Sequence, residues 1–422
     1  MFLVYAILVH LAFMILLPVL LVHPKLREGF LFRLGFYPPG WPGCSGGPVF
    51  WFHGASAGDL AALQPVILMV RERRPDACVV VTTVTNSGMA MAQKRLQGAD
   101  AVGYLPYDLP LAVRRAVKAI KPDVLVLEYA EVWPALIRGV KRSGARIAII
   151  NGRFHERALP RYRWFYRLIG NPLKHVDLLC MRDPAEVEHA LSIGAPPERV
   201  RATGNTKFDS CRQVEPDDAG LKNLAKVLGV DGSSPVLLAG STHEGEEGPL
   251  LDVYLSLRES FPELHLVVAP RYIERADRVR LLAEDRKLTC GLRSRGAAGE
   301  AVVVLDSVGE LRAAYRLATV VFVGGSFVRR GGQNILEPAA CGKPVLFGPH
   351  MENFRDSVKV LLGRGGIQVS DFSRFERVLS DLLSDRQEIE KLGRMAQESV
   401  SAVQGASRAD TEIILELARG AS

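Results

Sequence analysis

The sequence has few cysteines, and none of them is placed for metal binding. The six cysteines among its 422 residues form no CxxC pair and show no Cys/His ligand spacing. Some lie in apolar, strand-like text, as Cys78 does in ACVVVTT. We therefore expect buried free thiols in a reducing compartment, and the pattern argues against a disulfide framework or a zinc site. The positions are Cys44, Cys78, Cys180, Cys211, Cys290 and Cys341.

The sequence also lacks the common nucleotide-binding fingerprints. No GxGxxG follows the first predicted strand, and GxxxxGK[ST] does not occur. These absences disfavour a dinucleotide-dependent dehydrogenase and a P-loop kinase. Arginines are scattered and form no basic stripe with interleaved aromatics, which disfavours a nucleic-acid partner. The net charge of +7 still favours an anionic partner such as a nucleotide, a phospholipid head group or a phosphorylated lipid.

Charged residues are missing from the amino-terminal segment. Residues 2–22 read FLVYAILVHLAFMILLPVLLV, with His10 as the strongly polar exception. A helix of this length spans roughly 30 Å, the hydrocarbon thickness of a bilayer. No signal-peptide cleavage site is evident, and Lys25, Arg27 and Arg33 follow the apolar run. By the positive-inside rule we expect one membrane span, with the rest of the chain in the cytoplasm.

The rhythm of the remaining chain predicts two domains. The composition, with 48% hydrophobic residues, is that of a folded protein. A chain of 422 residues is too long for one hydrophobic core. Short β-branched runs alternate with longer amphipathic ones, and the alternation restarts after CRQVEPDDAG. This pattern is typical of parallel sheets covered by helices, so we predict two Rossmann-like doubly wound α/β domains. The predicted segments are 1–23 for the membrane anchor, 24–212 and 213–422, and the last helix could pack back on the first domain.

Polar, glycine-rich text follows several predicted strands, where doubly wound sheets bind their ligands. The predicted strands of the first half are VFWFHG, ACVVVTTV, AVGYLP, DVLVLEY, RIAIING and VDLLCM. Those of the second half are PVLLAGST, HLVVAP, LTCGL, AVVVLDS, TVVFVGGS and PVLFGP. The suggestive loops are STHEGEE, PRYIER, DSVGEL and GGSFVRRGGQNILEP.

The loop after TVVFV has two interpretations. Gly324, Gly325 and Ser326 would allow close approach of a ligand to the backbone and offer it amide donors. Beyond Asn334 a helix begins, whose amides suit a phosphate, and Glu337 could accept hydrogen bonds from ribose hydroxyls. The competing interpretation is a glycine-rich connection in which Glu337 is a first-turn acid favoured by the helix dipole.

The roles of single charged residues near other strand ends also have two interpretations each. Arg271, in PRYIER, could bind a phosphate or carboxylate, or be a surface arginine. Of Glu128 and Glu131, one could face a site, or both could form surface ion pairs. Lys207 could neutralise charge on a leaving group, or be solvated. Asp59, in HGASAGDL, could take a proton from an incoming hydroxyl, or be an ordinary first-turn acid of a helix.

Taken in order, these motifs resemble one family, the 3-deoxy-D-manno-octulosonic acid (Kdo) transferases of lipopolysaccharide synthesis. The resemblance covers nearly the whole chain. It implies a GT-B fold, with two Rossmann-like domains that face a cleft. It also implies an enzyme that transfers Kdo from CMP-Kdo to the lipid A precursor (lipid IVA), with inversion and without a metal ion. The motifs are FRLGFYP, HGASAGD, YLPYDLP, EVWP, NGRF, GNTKFD, GSTHEGEE, APRYIER, DSVGEL and FVGGSFVRRGGQNILEPAACGKPVLFGPHMENF.

The resemblance also implies roles for individual residues. Asp59 falls at the family's catalytic base, which would deprotonate the acceptor 6′-hydroxyl. Glu131 and Lys207 match positions that stabilise the transition state. The expected partners are CMP-Kdo as donor, the lipid A precursor and the membrane, with no cofactor and no nucleic acid. The positions that match CMP-binding residues are Pro270, Arg271, Val308, Gly309, Glu310, Asn334, Ile335, Leu336 and Glu337.

Some positions depart from the family's pattern. The base is normally Glu in H-x-x-S-V-G-E, whereas Asp59 is one methylene shorter and Ala57 replaces the valine. Tyr129 and Ala130 replace the first two residues of E-T-E-L-W-P, and Tyr272 replaces a usual histidine. These departures favour a second hypothesis, a paralogue of altered specificity or a non-catalytic membrane-tethered CMP-sugar or lipid-binding protein. A third hypothesis, a UDP-sugar GT-B enzyme or a nucleotide-sugar epimerase, fits the fold but not the motif order.

Overall fold

Two compact units make up the chain in the computed structural model. The structure describes residues 2–23, 27–44, 46–211, 218–230, 232–296 and 300–420. Unit 1 comprises Met1–Ser210 and Gln404–Ser422, and unit 2 comprises Cys211–Val403. The chain therefore returns to unit 1 after completing unit 2. Lys25 and the predicted domain boundary at 212 and 213 lie outside the described residues.

Unit 1 is built on a parallel sheet of seven strands. In chain order they are β1 Val49–His53, β2 Cys78–Thr83, β3 Ala101–Tyr104, β4 Val124–Glu128, β5 Arg146–Gly152, β6 Leu178–Met181 and β7 Val200–Ala202. The sheet order is β3-β2-β1-β4-β5-β6-β7, so the winding reverses between β1 and β4. Every residue of β2 and β4 is buried, as expected for central strands covered on both faces.

Unit 2 repeats this plan. Its strands are β8 Val236–Thr242, β9 His265–Pro270, β10 Cys290–Leu292, β11 Val302–Val304, β12 Val320–Val323, β13 Val345–Phe347 and β14 Gly366–Gln368. The order β10-β11-β9-β8-β12-β13-β14 places the reversal between β8 and β12. All the predicted strands are present. The edge strands β7 and β14 were not predicted, because their sequences VRA and GIQ lack an apolar β-branched run and are largely exposed or only partly buried.

Helices connect the strands in both units. In chain order they are α1 Phe2–Val22, α2 Phe30–Arg33, α3 Ala57–Arg73, α4 Asn86–Arg95, α5 Pro110–Ile120, α6 Pro134–Arg142, α7 Leu159–Ile169, α8 Pro184–Ser192, α9 Asp218–Leu228, α10 Glu247–Ser260, α11 Ala276–Glu284, α12 Leu311–Leu317, α13 Leu336–Ala340, α14 Arg355–Leu361, α15 Phe372–Ser384, α16 Arg386–Val403 and α17 Ala406–Arg419. Two helix-covered parallel sheets confirm the predicted α/β class.

Helix α1 is apolar and packs on unit 1 by one face. The Tyr5 hydroxyl donates to the carboxylate of Asp108, which also accepts two backbone amides at the start of α6. Further along, the ring centroids of Phe13 and Tyr107 lie 5.4 Å apart. By length and composition α1 could cross a membrane. Its largely exposed side chains include Leu3, Ile7, Leu11, Met14, Ile15 and Val22.

The prediction of free thiols is wrong for Cys44 and Cys78. These residues form a disulfide, with their Cα atoms 5.6 Å apart. The pairing arises because the segment before β1 runs beside the start of β2, where the Cys78 amide donates to the carbonyl oxygen of Pro48. A sequence separation of 34 residues gives no hint of this proximity. The free cysteines among the described residues include Cys180, which is buried as predicted, Cys290 and Cys341.

Helix α17 covers part of unit 1, packing against α3, β4 and β5. At its start the carboxylate of Asp209 accepts the backbone amides of Gly405 and Ser407. Asp410, one turn along, is fully buried, and the side chains of Thr203 and Cys180 are the polar groups beside its carboxylate. Burial raises the pKa of Asp410 to about 7.

We expect Asp410→Asn to stabilise unit 1 at about pH 8 much more than at about pH 5. The folded-state pKa of about 7 exceeds the unfolded value of about 3.9, so between these values only the folded state holds the proton. The stability that depends on this proton is present below about pH 4 and is lost as pH rises through 7. Asparagine has no charge to bury and avoids a loss on the order of 2 kcal/mol.

The measurement is urea unfolding of both proteins at several pH values, followed by tryptophan fluorescence. Glu416→Gln serves as the matched control because Glu416 is an exposed acid on the same helix, α17. A difference in unfolding free energy between wild type and Asp410→Asn that stays constant across pH would contradict the assigned titration.

Candidate active site

The predicted residues of unit 1 meet at the carboxyl edge of its sheet. Strands β1 and β4 are paired neighbours at the switch point, and they end at His53 and Glu128. Lys207 follows β7 but reaches the same edge, because its Nζ donates to the Tyr129 hydroxyl at 2.7 Å. This Nζ also lies 4.7 Å from the centroid of the Tyr129 ring. Tyr129 thus holds the ammonium group by a hydrogen bond and a cation–π contact.

Glu131 is anchored at this edge but remains accessible. Its Oε2 accepts a hydrogen bond from Trp133 Nε1 at 2.8 Å, and its side chain is 22% exposed. His53 Nε2 lies 3.5 Å from the same oxygen. The other ring nitrogen, Nδ1, is 3.0 Å from the carbonyl oxygen of Thr82, which assigns a proton to Nδ1. No role was predicted for His53, although it is the first residue of the motif HGASAGD.

Glu128 faces inward, which separates it from Glu131. It is fully buried, and Asn151 Nδ2 donates to both of its carboxyl oxygens, at 2.8 and 3.0 Å. Burial raises the pKa of Glu128 well above its usual range, while Asn151 and the charge of Lys207 act in the opposite direction. The side-chain oxygen Oδ1 of Asn151 accepts the Thr206 backbone amide and so links β5 to the turn that carries Lys207. Glu128 therefore belongs to the support of the site.

Asp59 is built into the start of α3. Its Oδ2 accepts the Ser56 backbone amide at 3.0 Å and the Ser56 hydroxyl at 2.8 Å, which forms a capping box. The side chain is only partly buried. The preceding Gly54 packs closely on this helix start, since a β-carbon there would lie 3.1 Å from Asp59 Cβ. Asp59 thus has a structural task, and a catalytic one would be additional.

Left-handed backbone occurs at the carboxyl ends of strands in both units. Tyr129, Asn151 and Ser241 adopt φ of 58°, 51° and 55° at the ends of β4, β5 and β8. Residues other than glycine rarely take this conformation, and strained examples cluster at functional sites. Sequence reasoning missed this signal because none of the three is glycine.

In unit 2, the amides expected to bind a ligand are already occupied. The carboxylate of Glu246, which is fully buried, accepts four backbone amides at 2.7–3.0 Å. A β-carbon at Gly324 would lie 2.9 Å from this carboxylate. The interpretation of Gly324, Gly325 and Ser326 as ligand-facing donors is therefore wrong, because an internal anion fills their place. The donors are the amides of His243, Gly325, Ser326 and Phe327.

Arg271 projects into solvent from the end of β9, directly after Pro270. Its backbone amide donates to Thr242 at the end of β8, and its side chain is exposed. The Tyr272 ring beside it contacts the His243 ring edge-on at 5.9 Å. By contrast, Arg275 is committed to the buried Glu247, with which it forms an ion pair at 3.1 Å. Of the arginines in PRYIER, Arg271 is the one placed to receive an anion.

The remaining predicted residues of unit 2 follow β11 and β12. Val308 is 85% exposed at the tip of a loop, next to Gly309 with φ of 91°. Glu310 is paired with Arg293 at 2.6 Å and accepts the Ser307 hydroxyl. These contacts fix the loop and leave its tip open.

The segment that begins α13 lies at the same edge. The Asn334 amide group donates to Glu337 at 3.1 Å, and its carbonyl oxygen accepts the Leu336 amide. Arg312, on the helix after the 308–310 loop, lies 3.5 Å from Glu337. Ile335 and Leu336 are buried, so they position the segment while Asn334 and Glu337 stay partly exposed. The structure thus brings the predicted unit 2 residues to one edge of its sheet.

Comparison with known proteins identifies the family and the fold of this chain. Residues 28–210 match the family model described as 3-Deoxy-D-manno-octulosonic-acid transferase (kdotransferase). A 3-deoxy-D-manno-octulosonic acid transferase of Chlamydophila psittaci is 32% identical over 385 residues, 89% of this chain and 87% of that protein. The transferase of Haemophilus influenzae is 29% identical over 91% of this chain and 90% of that protein.

Solved structures extend the likeness in fold. A glycosyltransferase from Rickettsia africae superposes with a TM-score of 0.55 at 13% identity, over 88% of this chain and 99% of that one. A UDP-GlcNAc 2-epimerase from Neisseria meningitidis gives 0.58 at 14% identity, over 87% of this chain and 100% of that one. The predicted GT-B class, two Rossmann-like units with an apolar amino-terminal helix, is confirmed.

Proposed function

Because the chain belongs to the 3-deoxy-D-manno-octulosonic acid (Kdo) transferase family, we propose that it transfers Kdo from CMP-Kdo to the lipid A precursor. The transfer proceeds with inversion at the anomeric carbon and needs neither a metal ion nor a cofactor. The observation that carries this proposal is that Asp59, Glu131 and Lys207 all follow strands at the carboxyl edge of the unit 1 sheet, with anchored and partly exposed side chains.

In the proposed reaction Asp59 accepts the proton of the acceptor 6′-hydroxyl. The oxygen then forms a bond to the anomeric carbon of Kdo, while the bond from that carbon to the CMP phosphate oxygen breaks and CMP leaves. Negative charge grows on the leaving phosphate, and Lys207 is a suitable cation to stabilise it. Glu131 stabilises the positive charge that develops on the sugar ring. The Tyr129 contact supports this role by fixing the Lys207 ammonium in one place.

The nucleotide would bind in unit 2. Arg271 supplies a cation for the phosphate, and the partly exposed Asn334 and Glu337 supply groups for the ribose hydroxyls. The open tip at Val308, Gly309 and Glu310 and the backbone of Pro270, Ile335 and Leu336 complete this set. The position of all these residues at the carboxyl edge, next to the switch point, supports the assignment.

Helix α1 would attach the enzyme to the inner (cytoplasmic) membrane, with both units in the cytoplasm. The acceptor is a lipid, so a protein that acts on it benefits from being held at the surface where that lipid resides. The exposed apolar side chains of α1 support this location. The decisive experiment incubates the full chain with CMP-Kdo and tetra-acylated lipid A precursor. CMP binding by calorimetry without any sugar transfer would refute the catalytic proposal.

One observation favours a second candidate, a membrane-tethered CMP-sugar or lipid-binding protein without transfer activity. Asp59 is shorter than the glutamate usual at the base position, and its carboxylate is already engaged by Ser56. A base held by a capping box would need to leave it to reach an acceptor. The same incubation separates the two candidates, because only the enzyme consumes CMP-Kdo in the presence of acceptor.

We expect Arg271→Ala to weaken CMP binding by roughly tenfold to a hundredfold, the value of a charge-assisted hydrogen bond of about 1.5–3 kcal/mol. The exposed Arg271 makes no described ion pair, so its loss should leave the fold unchanged. Calorimetry of CMP binding gives the measurement. Arg278→Ala, at another exposed arginine on α11, is the matched control and should bind CMP like the wild type. Equal affinity of the Arg271 variant and the wild type would remove Arg271 from the nucleotide site.

A further inference from the structure

A groove runs between α5 and α6 on unit 1, away from the residues of the candidate active site. Its volume is about 960 Å³, and Phe2, the first residue of α1, lines one end. Its floor is apolar, with Val113, Val117 and Ala135 among the lining side chains. The groove therefore combines an apolar floor with direct continuity to the exposed apolar helix α1.

The walls of this groove are strongly basic. Asp123 is the one acid among the lining residues, and its carboxylate is used by the Val49 amide at 2.7 Å. Arg138 stacks on the Phe2 ring, 4.5 Å from its centroid. The other cations make no described hydrogen bond or ion pair with a carboxylate. The basic lining residues are Arg114, Lys118, Lys121, Arg138 and Arg142.

Helix stability accounts for only some of these cations. Lys118, Lys121 and Arg142 lie at helix carboxyl ends, where the helix dipole favours positive charge. Arg114 lies in the first half of α5 and Arg138 in the middle of α6, where the dipole gives no such benefit. The helix dipole therefore does not account for these two cations, and both could pair with an anion bound in the groove.

His175 reports the positive potential of this side of unit 1. Burial lowers the pKa of His175, and the charges of Arg138, Lys141, Arg142 and Arg199 lower it further. An anion bound between the arginines would oppose these charges. The histidine ring is therefore a native probe of occupancy.

We propose that this groove binds an acidic glycerophospholipid of the membrane, with its phosphate between the cations and its acyl chains along the apolar floor and α1. Charge complementarity selects an anionic head group, and the apolar floor that leads to α1 selects a lipid over a free anion. The site lies outside the candidate active site and does not depend on the proposed transfer reaction. Through it, the lipid would fix how unit 1 sits on the membrane surface.

The experiment measures binding of the full chain to two kinds of vesicle, phosphatidylcholine alone and phosphatidylcholine with phosphatidylglycerol. The groove variant carries Arg114→Gln, Lys118→Gln, Lys121→Gln and Arg142→Gln. Wild type should bind the acidic vesicles more tightly, and the variant should lose roughly fivefold of that preference for each cation removed. Binding to phosphatidylcholine alone should be unchanged, because α1 is intact. Circular dichroism verifies that the variant is folded.

A control with four exposed cations of unit 2 changed to glutamine, Arg374, Arg377, Arg386 and Arg394, removes the same net charge elsewhere. It should keep most of the preference for acidic vesicles. An equal loss in the control, or no loss in the groove variant, overturns the proposal. NMR titration of His175 should show a raised pKa with acidic vesicles. The same rise with inorganic phosphate, at matched ionic strength, would identify a free-anion site and overturn the lipid assignment.

Discussion

Asp59→Ala should lower the rate of Kdo transfer by about a thousandfold and leave CMP affinity unchanged, since general-base catalysis contributes about 10²–10⁴-fold. The proposed nucleotide contacts are all in unit 2, so we expect removal of a unit 1 carboxylate to leave them intact. Single-turnover transfer from CMP-Kdo to the lipid A precursor measures the chemical step, and calorimetry measures CMP binding. A variant as active as wild type would remove Asp59 from the mechanism.

Because Asp59 also caps a helix, the Asp59→Ala experiment needs a control for loss of the cap. Asp59 and Ser56 stabilise the start of α3 together, so Asp59→Ala also removes a cap. Ser56→Ala removes the other half of this cap, at a cost of about 1 kcal/mol in stability, and keeps the carboxylate. If capping were the whole role of Asp59, the two variants would lose activity equally. We expect Ser56→Ala to retain most of its activity.

Asp59→Glu tests the departure from the family's pattern. A glutamate restores the missing methylene, and a displacement of about 1 Å at a catalytic group can change a rate on the order of a hundredfold. A gain in transfer rate would identify aspartate as a compromised base. A loss would mean that the pocket is built around the shorter side chain.

Glu246→Ala should destabilise unit 2 by on the order of 4 kcal/mol, because it leaves four buried amides without an acceptor. Each such donor costs about 1–3 kcal/mol, and the loop can relax only in part. Glu244→Ala is the matched control two residues away. The Glu244 side chain is 84% exposed, and its ion pair with Arg275 is at the surface. Its loss should change stability by less than about 1 kcal/mol.

The chain offers a way to observe this loss in unit 2 alone. All four tryptophans lie in unit 1, namely Trp41, Trp51, Trp133 and Trp164. Tryptophan fluorescence therefore follows unit 1, whereas far-ultraviolet circular dichroism follows both units. In urea, Glu246→Ala should lower the midpoint of the unit 2 transition, which circular dichroism detects. The unit 1 transition, which fluorescence detects, should not move. An unshifted dichroism curve would mean that Glu246 is dispensable.

The fold could be predicted because each strand is short, apolar and bounded by polar text. β2 and β4 show this most clearly, since all their residues are buried. The edge strands β7 and β14 could not be predicted, because VRA and GIQ lack an apolar run, whereas the equally short β11 consists of three buried valines. The Cys44–Cys78 pairing depends on which distant segments the sheet brings together, and sequence spacing does not contain that information.

The positions of the candidate site residues could be predicted where they follow from the local sequence. They could not be predicted where they depend on a contact with a distant residue. Asp59, Glu131 and Arg271 follow strands directly, so the topology places them at the sheet edge. The sequence indicates that the loop after β12 offers backbone amides, but not that the carboxylate of Glu246 accepts their hydrogen bonds. The left-handed backbone of Tyr129 was equally hidden, since it is imposed by the surrounding structure.

The return of α17 to unit 1 determines the order in which the units can mature on the ribosome. The apolar face of the unit 1 sheet that α17 covers is complete in sequence by residue 210, but its cover emerges only after all of unit 2. At about 5–20 residues per second, synthesis of the intervening residues 211–403 takes roughly 10–40 s. Throughout that interval unit 1 still exposes the apolar surface that α17 later covers. A nascent chain of this protein therefore carries an incomplete unit 1 until all of unit 2 has been synthesised.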